Sequence, residues 1–249
     1  MTDLHAIEDT FGSFVTFRQG FGLDDDRPCE LPIRVFLAKL DGANVLVDAG
    51  VGPPGGGTFL PDRQGNLPAG LTEHSLGVED IDLVVFTHLH VDHVGWALLD
   101  SEPFFPNARY VAHSAEFDYF GTSAADALEI RDDLIALRRA GRVEAVDGDG
   151  EVHPGVALRH LPGHTPGHCG VEIGGVLVFG DAIVHEVQLA DPELPFFADA
   201  DPAEATATRT SLLSALADSG AVAGAPHLAT PFGRIRREAD RFAWVPVSL

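Results

Sequence analysis

The sequence has little of what marks nucleic-acid-binding, disulfide-stabilised or membrane-spanning proteins. Lys39 is the only lysine, and 16 basic against 38 acidic residues give a formal net charge of −22. Such a surface repels polyanions, because nucleic-acid binding needs a basic stripe. Cys29 and Cys169 are too few for a disulfide framework and too far apart for a paired metal motif. No apolar run reaches the roughly 18 residues of a membrane span, and the first residues do not resemble a secretion signal.

These deficits predict a cytoplasmic protein that binds neither nucleic acid nor membrane. An alternative explanation of the charge is the base composition of the source genome, which would favour arginine over lysine and enrich aspartate. Both explanations leave nucleic acid and anionic membranes as poor partners.

The pattern of apolar residues predicts one α/β domain over residues 1–249. Residues 32–40 and 44–48 are two runs rich in β-forming residues around the turn Asp41-Gly42, which predicts a hairpin, and residues 171–173 and 176–179 repeat this pattern around Gly174-Gly175. Residues 81–86 form a short apolar, β-branched run typical of a buried strand. Helices are predicted over residues 123–140 and 201–218, the second with Asp201 as N-cap and Pro202 at the first helical position.

A long segment rich in glycine and proline, residues 50–77, shows neither helical nor strand periodicity. It is predicted to be mostly loop, and a loop of this length in a compact domain often acts as a lid. Phe59 and Leu60 of this segment are candidates to line a pocket.

The residues with the clearest chemistry follow the strand over residues 81–86. The hexapeptide HLHVDH places His88, His90, Asp92 and His93 directly after it, and His164, Asp181 and His227 each follow a later apolar run. Imidazole nitrogens and carboxylate oxygens are the ligands that hold zinc in sites that also keep a position open for water. A histidine-rich solvated loop is the simple alternative, but it does not account for the three later residues.

This ordered set of motifs resembles the metallo-β-lactamase superfamily over nearly the whole chain. The resemblance implies a four-layer αββα sandwich holding two divalent metal ions, with zinc as the default and manganese, iron or cobalt also compatible with the ligand types. It implies that His88, His90 and His164 hold one ion, that Asp92, His93 and His227 hold the other, and that Asp181 bridges them.

The resemblance also implies a reaction, in which a hydroxide bridging the two metals attacks an ester-like bond. Asp92 is expected to orient that hydroxide and to pass a proton to the leaving group. Asp48 is expected to orient a ligand histidine, with an ordinary turn aspartate as the alternative. His168 is expected to be structural, and Cys169 to be a core residue.

Three further segments resemble the methyl parathion hydrolase-like and N-acyl homoserine lactonase-like branch, the first of these more than the second. They are GDAIV at 180–184, GAPHL at 224–228 and FAWVPV at 242–247. The lactonases of that branch carry a tyrosine three residues after the bridging aspartate, where this chain has Val184.

The predicted substrate is therefore a lactone or carboxylic ester, with phosphotriesters as a further class. The alternatives are a glyoxalase II-like thioesterase, a β-lactam hydrolase with the same metals, or a non-catalytic metal- or ligand-binding protein. A homodimer is expected because similar proteins commonly form one. His185, Phe196, Phe197 and Trp96 are candidates to line the pocket, with a core position as the alternative for Trp96.

Overall fold

A computed structural model describes residues 3–54, 64–100, 102–121, 138, 141–239 and 241–249. Its α-helices are α1 Phe17–Phe21, α2 Leu67–Glu73, α3 Val91–Val94, α4 Ser114–Phe120, α5 Val187–Ala190 and α6 Pro202–Ser219, with 3-10 turns at Val78–Asp80 and Gly180–Ala182. Its strands are β1 Asp3–Thr16, β2 Pro28–Leu40, β3 Ala43–Val47, β4 Leu83–Val85, β5 Leu98–Leu99, β6 Glu102–Pro103, β7 Arg109–His113, β8 Val143–Val146, β9 Gly150–His153, β10 Val156–His160, β11 Cys169–Ile173, β12 Val176–Val178, β13 Val222–Gly224, β14 Phe232–Glu238 and β15 Arg241–Pro246.

The strands form two large sheets and one small ribbon. One sheet has the order β1-β2-β3-β4-β7-β8, the other has the order β15-β14-β13-β12-β11-β10-β9, and β5 pairs with β6. In both sheets the central pairings are parallel: β3 with β4, β4 with β7, and β12 with β13. Parallel strands are covered on both faces, which explains why their sequences are apolar throughout.

Alternating side chains divide the molecule into four layers. In β4, Leu83 and Val85 join a core cluster that also holds Val171 and Val178 of the other sheet, so the two sheets pack face to face. Val84 points the other way into a cluster with α2 and α4, and Leu213 of α6 covers the outer face of the second sheet. The fold is therefore the predicted four-layer αββα sandwich.

The strand directions bring the predicted site residues to one edge of the sandwich. Asp48 follows β3 and His88 follows β4, while His164, Asp181 and His227 follow β10, β12 and β13. Strands β10, β12 and β13 run in the same direction, so their carboxyl ends meet at one side of the sheet. Loops at the carboxyl ends of such strands are where α/β folds place their sites.

The structure confirms both predicted hairpins, the strand at residues 83–85 and the helix after Asp201, whose carboxylate accepts hydrogen bonds from the backbone nitrogens of Ala203 and Glu204. Within residues 50–77, predicted to be mostly loop, the structure contains the short helix α2, which begins with Leu67-Pro68; residues 55–63 of this segment lie outside the described residues. Proline is favoured in the first turn of a helix, where a backbone N–H would have no partner within the helix. Pro68 therefore marks the start of α2 and not a loop. The helix predicted over residues 123–140 lies outside the described residues, Arg138 excepted, and so do Phe59 and Leu60.

Along the described part of the chain, no helix combines the length and the apolar character needed to cross a membrane.

Candidate metal centre

The first group of ligand-type atoms comprises three histidines and one carboxylate, all buried. His88 Nε2 and His164 Nε2 each lie 2.9 Å from Nδ1 of His90. Oδ2 of Asp181 lies 3.4 Å from Nε2 of His164 and 4.0 Å from Nε2 of His88. These four side chains converge on one point and could hold a metal ion.

The second group lies on the other side of Asp181. Its Oδ1 atom is 3.0 Å from Nε2 of His227 and 3.2 Å from Nε2 of His93, which are themselves 3.3 Å apart. Asp92 adds Oδ2 at 3.6 Å from Nε2 of His93 and 3.9 Å from Nε2 of His227, and these three residues form the second candidate metal group. One carboxylate thus turns one oxygen to each group, as a bridging ligand does.

The hydrogen bonds of the rings fit metal binding. In His88, His93, His164 and His227 the Nδ1 atom is occupied, by Thr87 Oγ1 at 3.1 Å, Asp48 Oδ2 at 2.9 Å, Asp199 Oδ1 at 2.9 Å and the Pro32 carbonyl at 2.8 Å. A neutral ring that donates from Nδ1 presents a lone pair at Nε2, and each of these Nε2 atoms faces the site. Imidazole nitrogens and carboxylate oxygens that converge in this way form a site that a cation could occupy.

Two atoms of the site are buried without a hydrogen-bond partner, Nε2 of His90 and Oδ1 of Asp181. A buried polar group without a partner is costly, and a cation at the second group would satisfy the Asp181 oxygen. The donor set, nitrogen and oxygen without sulfur, fits zinc and also accepts manganese, iron or cobalt.

The electrostatics of the two groups differ. In the first group burial lowers the pKa of His88 and His90 well below the ordinary value, and neighbouring histidines lower it further, so both rings are neutral as ligands must be. In the second group burial lowers the pKa of His93 and His227, but the charge of Asp181 outweighs it and both pKa values are raised, so metal binding would displace the protons of these rings. Burial raises the pKa of Asp181, but the charges of His227, His93 and His164 outweigh it and hold that pKa well below its usual range. The bridging carboxylate is therefore ionised.

Backbone geometry at two turns allows these contacts. Asp48 has a φ of 65°, in the left-handed region that aspartate tolerates better than most residues, and its carboxylate accepts from Thr87 N at 2.7 Å. Gly180 has a φ of 54°, and a Cβ there would lie 2.5 Å from Nε2 of His168. That ring accepts from the Asp181 backbone nitrogen at 2.9 Å, which fixes the bridging aspartate.

The profile of the Metallo-beta-lactamase superfamily matches residues 30–227 of this sequence. The chain belongs to the metallo-β-lactamase superfamily.

Among its relatives in this superfamily, the N-acyl homoserine lactonase AiiB of Rhizobium rhizogenes is 29% identical over 183 residues, which cover 63% of this chain and 64% of that protein. An N-acyl homoserine lactonase of a Bacillus species is 29% identical over 189 residues, covering 67% of this chain and 70% of that protein. The match with the first relative thus spans less than two thirds of its length.

A solved structure shows the same metallo-β-lactamase fold over the whole chain. It is that of AidC, a dizinc quorum-quenching lactonase in complex with a product, with a TM-score of 0.86 at 24% identity over 100% of this chain and 95% of that one. The likeness extends the superfamily fold to the segments before residue 30 and after residue 227.

The structure brings together all the residues that the superfamily motif predicts as ligands; their individual ligation stays a prediction. They are His88, His90, Asp92, His93, His164, Asp181 and His227. The expectation for Asp48 agrees with its contact to His93, and His168 contacts Leu161 O and Asp181 N as a structural residue would. Cys169 and Trp96 are buried in core clusters.

Several buried charged residues that support the superfamily site were not predicted. Asp199 accepts from His164, Phe196 N and Arg209, and Glu116 accepts from the backbone nitrogens of Leu89 at 3.0 Å and Gly167 at 2.8 Å. Arg34 donates to the carbonyls of Leu228 and Ala229, next to His227. None of these residues lies in a recognisable motif. The apolar residues next to them in the sequence were the only indication that their side chains are buried.

A cleft of about 480 Å³ opens beside His227. It is lined by Glu8, Phe11, Phe17, Pro28, Glu30, Pro32, Arg34, His185, Glu186, His227 and Ala229. His185 lines this cleft, and its place in the substrate pocket stays a prediction. Phe196 lies against the ring of His164, with centroids 6.3 Å apart, and Phe197 is exposed.

Proposed function

We propose that this protein hydrolyses an ester-like bond, a lactone or carboxylic ester in the first place, with two divalent metal ions, zinc by default. The observation that carries the proposal is Asp181, whose two oxygens face two separate histidine groups at 3.0–4.0 Å. The relatives named N-acyl homoserine lactonase favour lactones among the ester-like substrates.

The roles of the chain's residues follow from their positions. His88, His90 and His164 would hold one ion and Asp92, His93 and His227 the other, with Asp181 between them. Ions bound there would polarise a substrate carbonyl and acidify a water molecule, so no serine or cysteine nucleophile is needed.

Asp92 is the acid we assign to proton transfer. Its side chain is 22% exposed against 6% for Asp181, so it is the more accessible acid to a departing alcohol. Its Oδ2 faces His93 and His227, which leaves Oδ1 to hold a proton for the leaving oxygen.

Phosphotriesters are a second candidate class. Val184 occupies the position where the resemblance expects a tyrosine hydroxyl, and it is buried in an apolar cluster with Phe21 and Phe196. A site without that hydroxyl loses a contact to a lactone carbonyl, and its aromatic surroundings would accept an uncharged aryl ester or phosphotriester.

Metal content and turnover, measured on one preparation, test the proposal. We expect about two ions per chain by elemental analysis and chelator-sensitive hydrolysis of γ-lactones, aryl esters or paraoxon, tested beside thioesters and nitrocefin. Fastest turnover of a thioester or of nitrocefin would move the chain to the thioesterase or β-lactam alternative. Two ions without turnover would favour a binding role, and absence of bound metal would contradict the proposal.

The small-molecule substrate, the cytoplasmic location and the homodimer also stay predictions. Cys29 and Cys169 are both buried and unpaired, which supports a reducing compartment. Light scattering on the metal-loaded protein would settle the dimer, since a mass near 26.5 kDa would exclude it.

A further inference from the structure

The cleft beside His227 offers few hydrogen-bond donors to a substrate. Of its charged lining residues, Glu8, Glu30 and Glu186 are acids and would repel a carboxylate. Arg34 is only 7% exposed; its guanidinium is engaged with the backbone carbonyls of Leu228 and Ala229 and lies 3.7 Å from Oε2 of Glu8. Its role is to hold the segment around His227, so it does not supply a donor to the cleft.

Glu186 is committed to the same segment. Its Oε1 atom accepts from the backbone nitrogen of Ala229 at 2.6 Å. The lining residue that remains as a neutral donor is His185, which follows Asp181 by four positions.

The ring of His185 is fixed in place and in tautomer. Its Nδ1 atom accepts from the backbone nitrogen of Val187 at 3.1 Å, so a neutral ring carries its proton on Nε2. Burial lowers the pKa of His185, which keeps the ring neutral at pH 7. Phe17 packs edge-on against the ring at 5.1 Å and Phe21 lies at 5.9 Å, which restricts its orientation.

His185 lines the cleft, and Nε2 is the ring nitrogen that is not engaged with the backbone of Val187. This nitrogen is 3.7 Å from Oε2 of Glu186, another lining residue, which is beyond hydrogen-bond distance. The side chain is 16% exposed, so most of the ring is shielded from bulk water while part of it is open to a ligand in the cleft that it lines. A fixed, partly desolvated donor of this kind discriminates between substrates that carry and lack an acceptor.

We propose that His185 determines substrate specificity by donating its Nε2 hydrogen to a neutral carbonyl oxygen in the substituent that occupies this cleft. The substrate class is then a lactone or ester bearing an amide or second carbonyl beside the scissile bond, such as an acylamino lactone. This inference rests on the proposed hydrolysis at the neighbouring metal centre.

Two substitutions separate the donor from the structural role of the ring. In His185→Gln the side-chain amide can place an N–H near the position of Nε2. In His185→Asn a shorter amide keeps an acceptor for the Val187 nitrogen but cannot reach the position of Nε2. Metal content and thermal unfolding of both variants should match those of the unmodified protein.

The probes are N-hexanoyl homoserine lactone and a γ-lactone with an alkyl chain of equal length in place of the acylamino group. We expect His185→Asn to lower kcat/KM for the first probe roughly five- to tenfold, the worth of one neutral hydrogen bond, and to leave the second unchanged. His185→Gln should recover most of the loss.

Equal losses on both probes, or no loss on either, would overturn the assignment of His185 while leaving the hydrolase proposal standing. Failure of the unmodified, metal-loaded protein to hydrolyse either lactone would count against lactone hydrolysis itself, and the same variants would then be compared on aryl esters with and without an amide carbonyl. If the Gln and Asn variants did not differ in their activity on these aryl esters, the proposal would be overturned for esters as well.

Discussion

At the residue scale, two buried carboxylates orient histidines of different metal groups. Asp199 contacts Nδ1 of His164 in the first group, and Asp48 contacts Nδ1 of His93 in the second. Each carboxylate fixes the ring and raises the basicity of the nitrogen that faces the metal. Substituting Asp199 should therefore change metal affinity at the first group only, and substituting Asp48 should change it at the second group only.

Replacing Asp199 should weaken one ion selectively. We expect Asp199→Asn to lower the affinity for one of two zinc ions about 10- to 100-fold, because the amide holds the His164 tautomer less firmly. Competition with a chromophoric chelator measures both steps. Asp218→Asn, at an exposed aspartate near the carboxyl end of α6, is the control, and a loss of equal size there would contradict the role given to Asp199.

Replacing Asp48 should weaken the other ion. Asparagine tolerates a positive φ, so Asp48→Asn keeps the turn and removes the charge that faces His93. We expect a similar 10- to 100-fold loss at one binding step. Asp100→Asn makes the same change at another residue with positive φ, and the double variant Asp48→Asn/Asp199→Asn should weaken both steps. If the double variant loses affinity at a single step, the two groups are not independent.

The ligand-type residues and Asp48 were readable from the sequence because they sit in short motifs at strand ends, whereas Asp199, Glu116 and Arg34 were not. His164 and Asp199 are separated by 35 positions, and Asp9 binds the backbone nitrogens of Val51 and Leu67 across 42 and 58 positions. A lone aspartate in a sequence carries no sign of such a partner. Burial of a carboxylate is the signal, and only the folded chain shows it.

At the element scale, the loop that carries His164 is packed against the start of α6. The backbone nitrogen of Asp201 donates to Gly163 O at 2.9 Å, and that of Ala200 donates to His164 O at 2.9 Å. Gly163 has a φ of 122°, and a Cβ there would lie 2.1 Å from the backbone nitrogen of Ala205. Glycine is therefore required for the close approach of loop and helix.

We expect Gly163→Ala to destabilise the protein by about 2–4 kcal/mol, since backbone must shift as well as adopt a strained φ. Gly155→Ala is the control: φ is also positive there, but nothing lies within 4 Å of the added Cβ, so only about 1–2 kcal/mol is lost. Urea unfolding of both variants gives the difference. Equal losses of unfolding free energy in the two variants would mean that the backbone moves away from the added Cβ near Ala205 without a free-energy penalty.

Continuous apolar runs, turn residues and a helix cap identified several elements from the sequence, whereas β1 and α2 were missed. Strand β1 pairs with β2 along its length, yet its register shifts between Glu8 and Thr10 and between Ser13 and Val15. Each shift breaks the period of two, so β1 gave no strand pattern. Helix α2 was missed because it contains Pro68 and Gly70, and a Cβ on Gly70 would lie 2.3 Å from Ile7.

At the scale of the whole molecule, the metal centre joins the two halves of the sandwich. His88, His90 and His93 follow strands of the first sheet, whereas His164, Asp181 and His227 follow strands of the second. Bound ions would therefore tie both sheets together, and binding to the folded state alone stabilises it.

Removing the ions should lower the melting temperature reversibly. At a free zinc concentration 100 times Kd, each ion stabilises the fold by about 2.7 kcal/mol, and EDTA removes that contribution. Differential scanning calorimetry with EDTA, and again after zinc is restored, measures it. The Asp181→Asn variant should show a much smaller difference, and an equal difference would mean that the stabilising zinc binds elsewhere.

The net charge of −22 should discriminate among substrates at long range. An ester that carries a carboxylate approaches a surface of like charge, and the acids of the cleft beside His227 oppose it again at short range. We expect kcat/KM for such an ester to be lower than for its neutral amide isostere. The gap should narrow as salt rises, because the Debye length falls from about 30 Å at 0.01 M to about 3 Å at 1 M. If the difference in kcat/KM stays constant across this range, the discrimination arises from direct contacts within the cleft. Glu186→Gln would then be the variant expected to reduce that difference.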